Sequence, residues 1–279
     1  MLKVGFIGLG SQGAPMARRI VESGYPLVLW ARRTEALVPF TDTSAEIAPS
    51  IAELGACCEH VGVCVVDDAG TEQVCDELIA AMAPGTRIAI HSTVHPNTVV
   101  ALARQADARG IAIIDAPVSG GGPAAAAGKL TVMMGGDEGV IAAARPVFET
   151  FGGLIVRMGD IGAGQKAKLV NNALMAAHVA MAHYGLAAGA ALDLDRVALC
   201  DLVKASSGRS YGFEVYARLP SPDAFAHGAK LLAKDVRLLG QVLSADPSFS
   251  AFRDLALPFL DGVQKGPADS LASPTVTTA

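Results

Sequence analysis

The chain opens with a short apolar run, residues 3–7, and passes directly into Gly8-Leu9-Gly10-Ser11-Gln12-Gly13 and then a helical pattern carrying Ala17 and Ile20. A glycine triplet spaced this way says little by itself. Between a strand and a helix at the start of an alternating chain it is specific, because each glycine has a separate task. Gly8 permits the tight turn, Gly10 lets a pyrophosphate approach the backbone, and Gly13 lets the helix pack closely on the strand. The helix start then offers unpaired N–H groups and partial positive charge to phosphate oxygens. Gly8, Leu9, Gly10, Ser11, Gln12 and Gly13 are therefore read as the phosphate-binding part of a dinucleotide site.

Downstream, β-branched runs at 27–30, 61–66, 87–90, 111–114, 130–134 and 154–157 alternate with helical patterns at 13–23, 71–82, 96–109 and 137–151. Repeated strand–helix–strand units predict a Rossmann-type α/β fold, with a doubly wound, mainly parallel sheet covered by helices. After about residue 162 the β-branched runs stop and the Ala/Leu-rich remainder reads as helix, beginning with a long one. Two domains are expected: 1–161 for the dinucleotide, and an all-helical 162–279 for substrate and oligomerisation. The Ser/Thr/Pro-rich tail 270–279 reads as loose.

Composition narrows the function classes. With 279 residues, 51% hydrophobic, and a formal charge of −5, the chain has ample core and no basic surplus for nucleic acid or anionic membrane. A secretory signal is not expected from a start that runs from Met1 straight into the first apolar run. Residues 169–192 contain no Asp, Glu, Lys or Arg and are long enough for a membrane span, but Asn171, Asn172, His178 and His183 suit a helix buried in protein. The five cysteines form no CxxC or Cys/His cluster, which predicts no metal site and a reducing, cytoplasmic setting.

The second strand ends Trp30-Ala31-Arg32-Arg33-Thr34, without the acid that binds the ribose 2′-hydroxyl of NAD. Two guanidiniums and a hydroxyl suit a 2′-phosphate instead. NADP is the preferred cofactor, with NAD the second choice, and Arg32, Arg33, Thr34 and Val66, the last of the 61–66 run, join the cofactor set.

Three further segments, with the opening glycine loop, resemble the β-hydroxyacid dehydrogenase family. They are Asp115-Ala116-Pro117-Val118-Ser119-Gly120-Gly121, Gly162-Ala163-Gly164-Gln165-Lys166-Ala167-Lys168-Leu169-Val170-Asn171-Asn172, and Lys234-Asp235, in the family's order along nearly the whole chain. The resemblance implies an active site in a cleft between a Rossmann domain and a helical domain. It implies Lys168 as catalytic lysine, Asn172 as its companion on substrate, and Ser119, Gly120 and Gly121 as the carboxylate-binding loop. Thr93 is implied beside the nicotinamide, and Lys234 close to cofactor and substrate. Gln12 stands where methionine is usual, Ala31 where NADP-type members often carry Asn, and His91 and His95 flank the Ser92-Thr93 pair.

The residues support that chemistry independently. Lys168 and Asn172 are four apart and share a helix face, whereas Lys166 points elsewhere. The charge-free run after Lys168 is expected to desolvate its ammonium and lower its pKa, as proton exchange near neutrality requires. The function expected is interconversion of a small 3-hydroxy acid with its semialdehyde or 3-oxo acid, in a homodimer or homotetramer. The alternatives are an imine reductase of the same architecture, which usually replaces the lysine, and a non-catalytic dinucleotide sensor or scaffold, which has no use for it. His178 and His183 read as core or interface residues, and Arg209 as part of a solvated turn.

Overall fold

The computed structural model describes residues 2–244 and 246–265, so the tail 270–279 lies outside the described residues. The chain divides into two compact units, the first ending at Lys168 and the second beginning at Leu169.

The first unit is built on a nine-stranded sheet. In chain order come β1 (Val4–Ile7), α1 (Gly13–Glu22), β2 (Leu27–Trp30), a 3-10 stretch (Thr34–Phe40), β3 (Glu46–Ile47), α2 (Ile51–Cys57), β4 (His60–Val63) and α3 (Asp68–Ala81). Then follow β5 (Arg87–Ile90), α4 (Pro96–Asp107), β6 (Ala112–Asp115), β7 (Val118–Ser119), α5 (Gly121–Ala126), β8 (Leu130–Gly135), α6 (Glu138–Phe148), β9 (Gly152–Gly159) and the start of α7 (Ala163–Ala191). Across the sheet the order is β3-β2-β1-β4-β5-β6-β8-β7, with β9 also on β8. Pairing from β3 to β6 is parallel; β8 is antiparallel to β6 and β7 and parallel to β9.

The continuous apolar runs follow from burial on both faces. Successive strand residues point opposite ways, so Phe6 and Leu29 join Met16, Ile20 and Phe148 in one core layer, while Ile7 and Val28 join Leu54, Leu78 and Ile88 in the other. The chain winds outward from β1 toward β3, then restarts on the other side at β4. That reversal opens a crevice at the ends of β1 and β4, where ligands of such sheets bind.

Several expected boundaries need correction. The run 61–66 is a strand only over His60–Val63, because β1 stops at Ile7 and β5 at Ile90; the Cys64 N–H still reaches the Ile7 carbonyl, and no ladder continues beyond it. The strand expected at 154–157 extends over Gly152–Gly159, its pairing to β8 outlasting the apolar pattern. Elements α2, β3 and β7 were not foreseen.

The second unit is helical, comprising the rest of α7, then α8 (Arg196–Ala205), α9 (Tyr211–Ala217), a 3-10 turn (Pro222–Phe225), α10 (Ala226–Leu243) and α11 (Ser248–Lys265). The expected boundary at 161/162 lies just before α7, whereas the compact units part within that helix. Small residues on α7 (Ala173, Ala176, Ala180) pack with Phe213, Val236, Phe259 and Leu260. Gly212 brings α9 against α7, since a Cβ there would lie 2.6 Å from that of His178. The His183 ring nitrogen sits 2.8 Å from the Tyr216 hydroxyl. Both histidines serve the helical packing. Among the described residues no helix is long and apolar enough to cross a membrane.

Two other histidines sit deep in the first unit. The His91 ring stacks on Phe6 and meets Phe148 and Phe151 edge-on, with Nδ1 2.8 Å from the Ala116 carbonyl oxygen. His60 packs edge-on against Phe148, and its Nδ1 has no hydrogen-bond partner. Burial pushes them down from 6.5, His60 to about 3 and His91 to about 4. Unfolding raises both values, so the unfolded chain binds more protons between them; stability is full above the unfolded value and falls as pH drops through that window. Thermal midpoints should therefore decline below about pH 6.5, before ordinary carboxylates titrate near about 4. His60→Leu should flatten the decline, and a midpoint independent of pH there would contradict this account.

Candidate active site

The glycine loop has the expected construction. Gly8 has φ +100°, and a Cβ on it would strike the Cys64 carbonyl across the crevice. A Cβ on Gly13 would strike the Gly8 carbonyl, so α1 can approach β1 only with hydrogen at that position. A Cβ on Gly10 would meet nothing within 4 Å. Gly10 faces open space, and no acidic side chain occupies the first turn of α1. Gln12 stands at the N-cap position of that helix without a side-chain capping bond, and Ser11 is exposed beside it. These features fit a dinucleotide pyrophosphate.

Next to the loop lies a cavity of about 460 Å³ whose walls include Gly8, Leu9, Gly10, Trp30, Arg32, Arg33 and Val66. It lies at the crevice created by the sheet reversal. Arg32 and Arg33 are exposed at its rim, and Thr34 opens the 3-10 stretch beside them. Val66 is 71% exposed on the loop after β4. Asp67 also lines the cavity, but its Oδ1 accepts the Gly70 N–H at 2.9 Å as the cap of α3.

The sequence segment around Asp115 forms one linked structure. Asp115 is fully buried at the end of β6; Oδ1 accepts the Gly162 N–H and Oδ2 the Gln165 N–H, each at 2.8 Å. Burial pushes its carboxyl above the ordinary range, against the pull of the N–H groups it accepts. Gly162 needs its φ of +89° to enter α7, and a Cβ on Gly164 would strike the Met133 carbonyl. The chain continues from Asp115 to Ser119, paired with Thr131, and to Gly120 and Gly121 at φ +131° and +72°. A Cβ on Gly122 would lie 2.6 Å from the Ser11 carbonyl, so this turn rests on the phosphate loop.

Thr93 is half-buried between Ser92 and Val94, past the end of β5. The flanking histidines are structural: His91 belongs to the core, and His95 Nδ1 caps α4 by accepting the Asn97 N–H at 3.1 Å.

On α7, Gln165, Lys168 and Asn172 follow one stripe and are all buried, Lys168 to 7% exposure, while Lys166 is exposed. In the second unit the Asn172 amide donates to Asp235 Oδ2 at 2.6 Å. Lys234 Nζ is 3.4 Å from Asp235 Oδ1. Asp235 thus fixes Asn172 through Oδ2, while its buried Oδ1 faces the Lys234 ammonium as an ion pair without a hydrogen bond. Asp115, Gln165 and Asp235 were not singled out from sequence as site residues, although each stood inside a segment that was.

Comparison with known proteins decides the family. Residues 3–159 match the NAD binding domain of 6-phosphogluconate dehydrogenase, and residues 162–246 match a family described as NAD-binding of NADP-dependent 3-hydroxyisobutyrate dehydrogenase. The NAD-dependent L-serine dehydrogenase of Pseudomonas aeruginosa is 34% identical over 276 residues, spanning 92% of this chain and 90% of that protein. The chain belongs to the β-hydroxyacid dehydrogenase family. Other relatives of this β-hydroxyacid dehydrogenase agree. The mitochondrial 3-hydroxyisobutyrate dehydrogenase of Mus musculus is 32% identical over 247 residues, 84% of this chain and 74% of that one. The solved structure of Mycobacterium tuberculosis 3-hydroxyisobutyrate dehydrogenase with L-serine has a TM-score of 0.81 at 26% identity, covering 95% of this chain and 99% of that chain. The dehydrogenase is thus an oxidoreductase that uses a nicotinamide dinucleotide.

Proposed function

We propose that this dehydrogenase interconverts a small 3-hydroxy acid and its semialdehyde or 3-oxo acid, with NADP(H) as cofactor and Lys168 as general acid/base. The observation that carries the reading is the buried polar stripe of α7, where Lys168 and Asn172 stand one turn apart. When bound, the nicotinamide accepts or supplies the hydride. Lys168 takes the hydroxyl proton in the oxidation and returns it in the reduction. Asn172, its amide held by Asp235, orients the same oxygen. The Ser119 hydroxyl and the backbone N–H groups at Gly120 and Gly121 hold the carboxylate. Thr93 would face the nicotinamide when it is bound, and Lys234 would serve cofactor and substrate.

The preference for NADP is supported by the absence of an acid at the end of β2 and by two guanidiniums at the cavity rim. The test is consumption of NADPH and NADH against a panel of small semialdehydes. Turnover with NADPH is expected, and Arg32→Ala or Arg33→Ala should raise its KM about ten- to hundredfold, as loss of one charged hydrogen bond would, with NADH unaffected. Wild-type enzyme that used NADH equally well would overturn the cofactor assignment, and reduction of imines alone would favour the imine reductase reading.

The helical unit is proposed to serve substrate binding and assembly. Val170, Leu174, Met181 and Tyr184 form an exposed apolar stripe on α7, each at least 43% exposed, which supports a homodimer or homotetramer. Monomeric sedimentation at micromolar concentration would contradict that. All five cysteines are free, which supports a cytoplasmic setting.

A further inference from the structure

We propose that Gln165 is a positioning residue for this reaction, fixing Lys168 in register with the strand end that carries Thr93. The inference rests on the roles proposed above for Lys168 and Thr93.

Gln165 is fully buried, and its carboxamide is spent on two backbone groups. Nε2 donates to the Ser92 carbonyl at 2.8 Å and Oε1 accepts the Val94 N–H at 3.1 Å. These bonds bracket Thr93 from either side. The Gln165 backbone N–H is itself held by Asp115 at the end of β6. Ser92 Oγ accepts the Val65 N–H at 2.8 Å, and Val65 lines the dinucleotide cavity. The Gln165 side chain therefore joins the first turn of α7 to the segment after β5, which Ser92 ties to the segment after β4, while the Gln165 backbone is held at the end of β6.

Lys168 lies three residues further along α7, on the same face. A helix advances about 1.5 Å and turns about 100° per residue, so a small slip at Gln165 is transmitted to Lys168 undiminished. Misplacement of a reacting group by about 1 Å can cost about a hundredfold in rate. The bracket needs a donor and an acceptor on one planar group at glutamine's reach. Asparagine is a methylene short. A glutamate carboxylate offers acceptors only, whereas a protonated glutamic acid restores the donor to Ser92.

Gln165→Glu gives the decisive test, because it preserves shape. At about pH 8, kcat should fall at least about tenfold while NADPH affinity, read by nicotinamide fluorescence, stays within about twofold. As pH is lowered and the buried carboxyl takes up a proton, the ratio of variant to wild-type kcat should recover. A merely structural role would lower the thermal midpoint without that recovery. A second readout needs no turnover: acetylation of Lys168 by acetic anhydride at about pH 8, followed by mass spectrometry, should differ at least about threefold between variant and wild type. Unchanged labelling overturns the proposal, as does kcat within about twofold of wild type or a loss indifferent to pH. Altered labelling in a protein without lysine-dependent turnover would leave Gln165 as positioning Lys168 and sink the functional reading instead.

Discussion

Lys168→Met loses turnover by about 10²–10⁴-fold, the range that general acid–base assistance supplies, while dinucleotide affinity stays near that of the wild type. Methionine follows the lysine stem to its last carbon, has a similar helix propensity and is at ease in a buried position. The substitution therefore removes the ammonium and little else. The phosphate loop and the cavity are built from β1, β2, β4, their following loops and residues of α2 and α3, and none of their walls includes Lys168. Binding and chemistry should separate cleanly, kcat falling and the dissociation constant of NADPH holding. A loss smaller than about tenfold would show that the proton is handled elsewhere.

Gly10→Ala and Gly13→Ala should fail in different ways, although both alter the same loop. At Gly13 the new methyl would collide with the Gly8 carbonyl, and a backbone oxygen in a tight turn cannot step aside as a side chain could. The helix must move off β1, at a cost of about 1–3 kcal/mol or more, and the N–H groups meant for the pyrophosphate move with it. Both the thermal midpoint and dinucleotide affinity should drop. At Gly10 the methyl enters open space, so the free protein should melt as wild type. Its affinity should nevertheless fall by tenfold or more, each tenfold being about 1.4 kcal/mol, because that space is where the pyrophosphate would lie. Equal midpoints for Gly13→Ala and wild type would contradict the packing argument, and undiminished NADPH affinity in Gly10→Ala would contradict the cradle.

The alternating fold was legible because its signals are local. The glycine loop, the apolar strands and the helical periods of α1, α4 and α6 can each be read within a short window, and their boundaries fell within a few residues. What escaped was short or depended on neighbours. Helix α2 is too brief for a period to declare itself, yet the Ser-x-x-Glu spacing of Ser50 and Glu53 marked its start: the Ser50 hydroxyl accepts the Glu53 N–H and donates to the Glu53 carboxylate. Strands β3 and β7 are two-residue pairings that only the tertiary sheet creates. The end of β4 was overread because Val65 and Val66 look like strand residues but have no strand to pair with.

The site divides the same way. Lys168 and Asn172 could be placed on one face by helical spacing, and the glycines by their tasks. Gln165 could not, since its amide partners stand 71 and 73 residues away. Asp115 reaches 47 and 50 residues, and Asp235 meets Asn172 across 63. His91 and His95 attracted attention for flanking Thr93, but their partners are the core and a helix start.

The central claim is hydride transfer to a small semialdehyde acid under control of Lys168. It is tested most directly with NADPH carrying deuterium at the transferable position of the nicotinamide, incubated with the best semialdehyde and analysed by mass spectrometry. The account predicts a 3-hydroxy acid that gains one deuterium in wild-type enzyme and almost none with Lys168→Met. Nicotinamide oxidation without deuterium in the acid, or equal labelling by the two proteins, would contradict it.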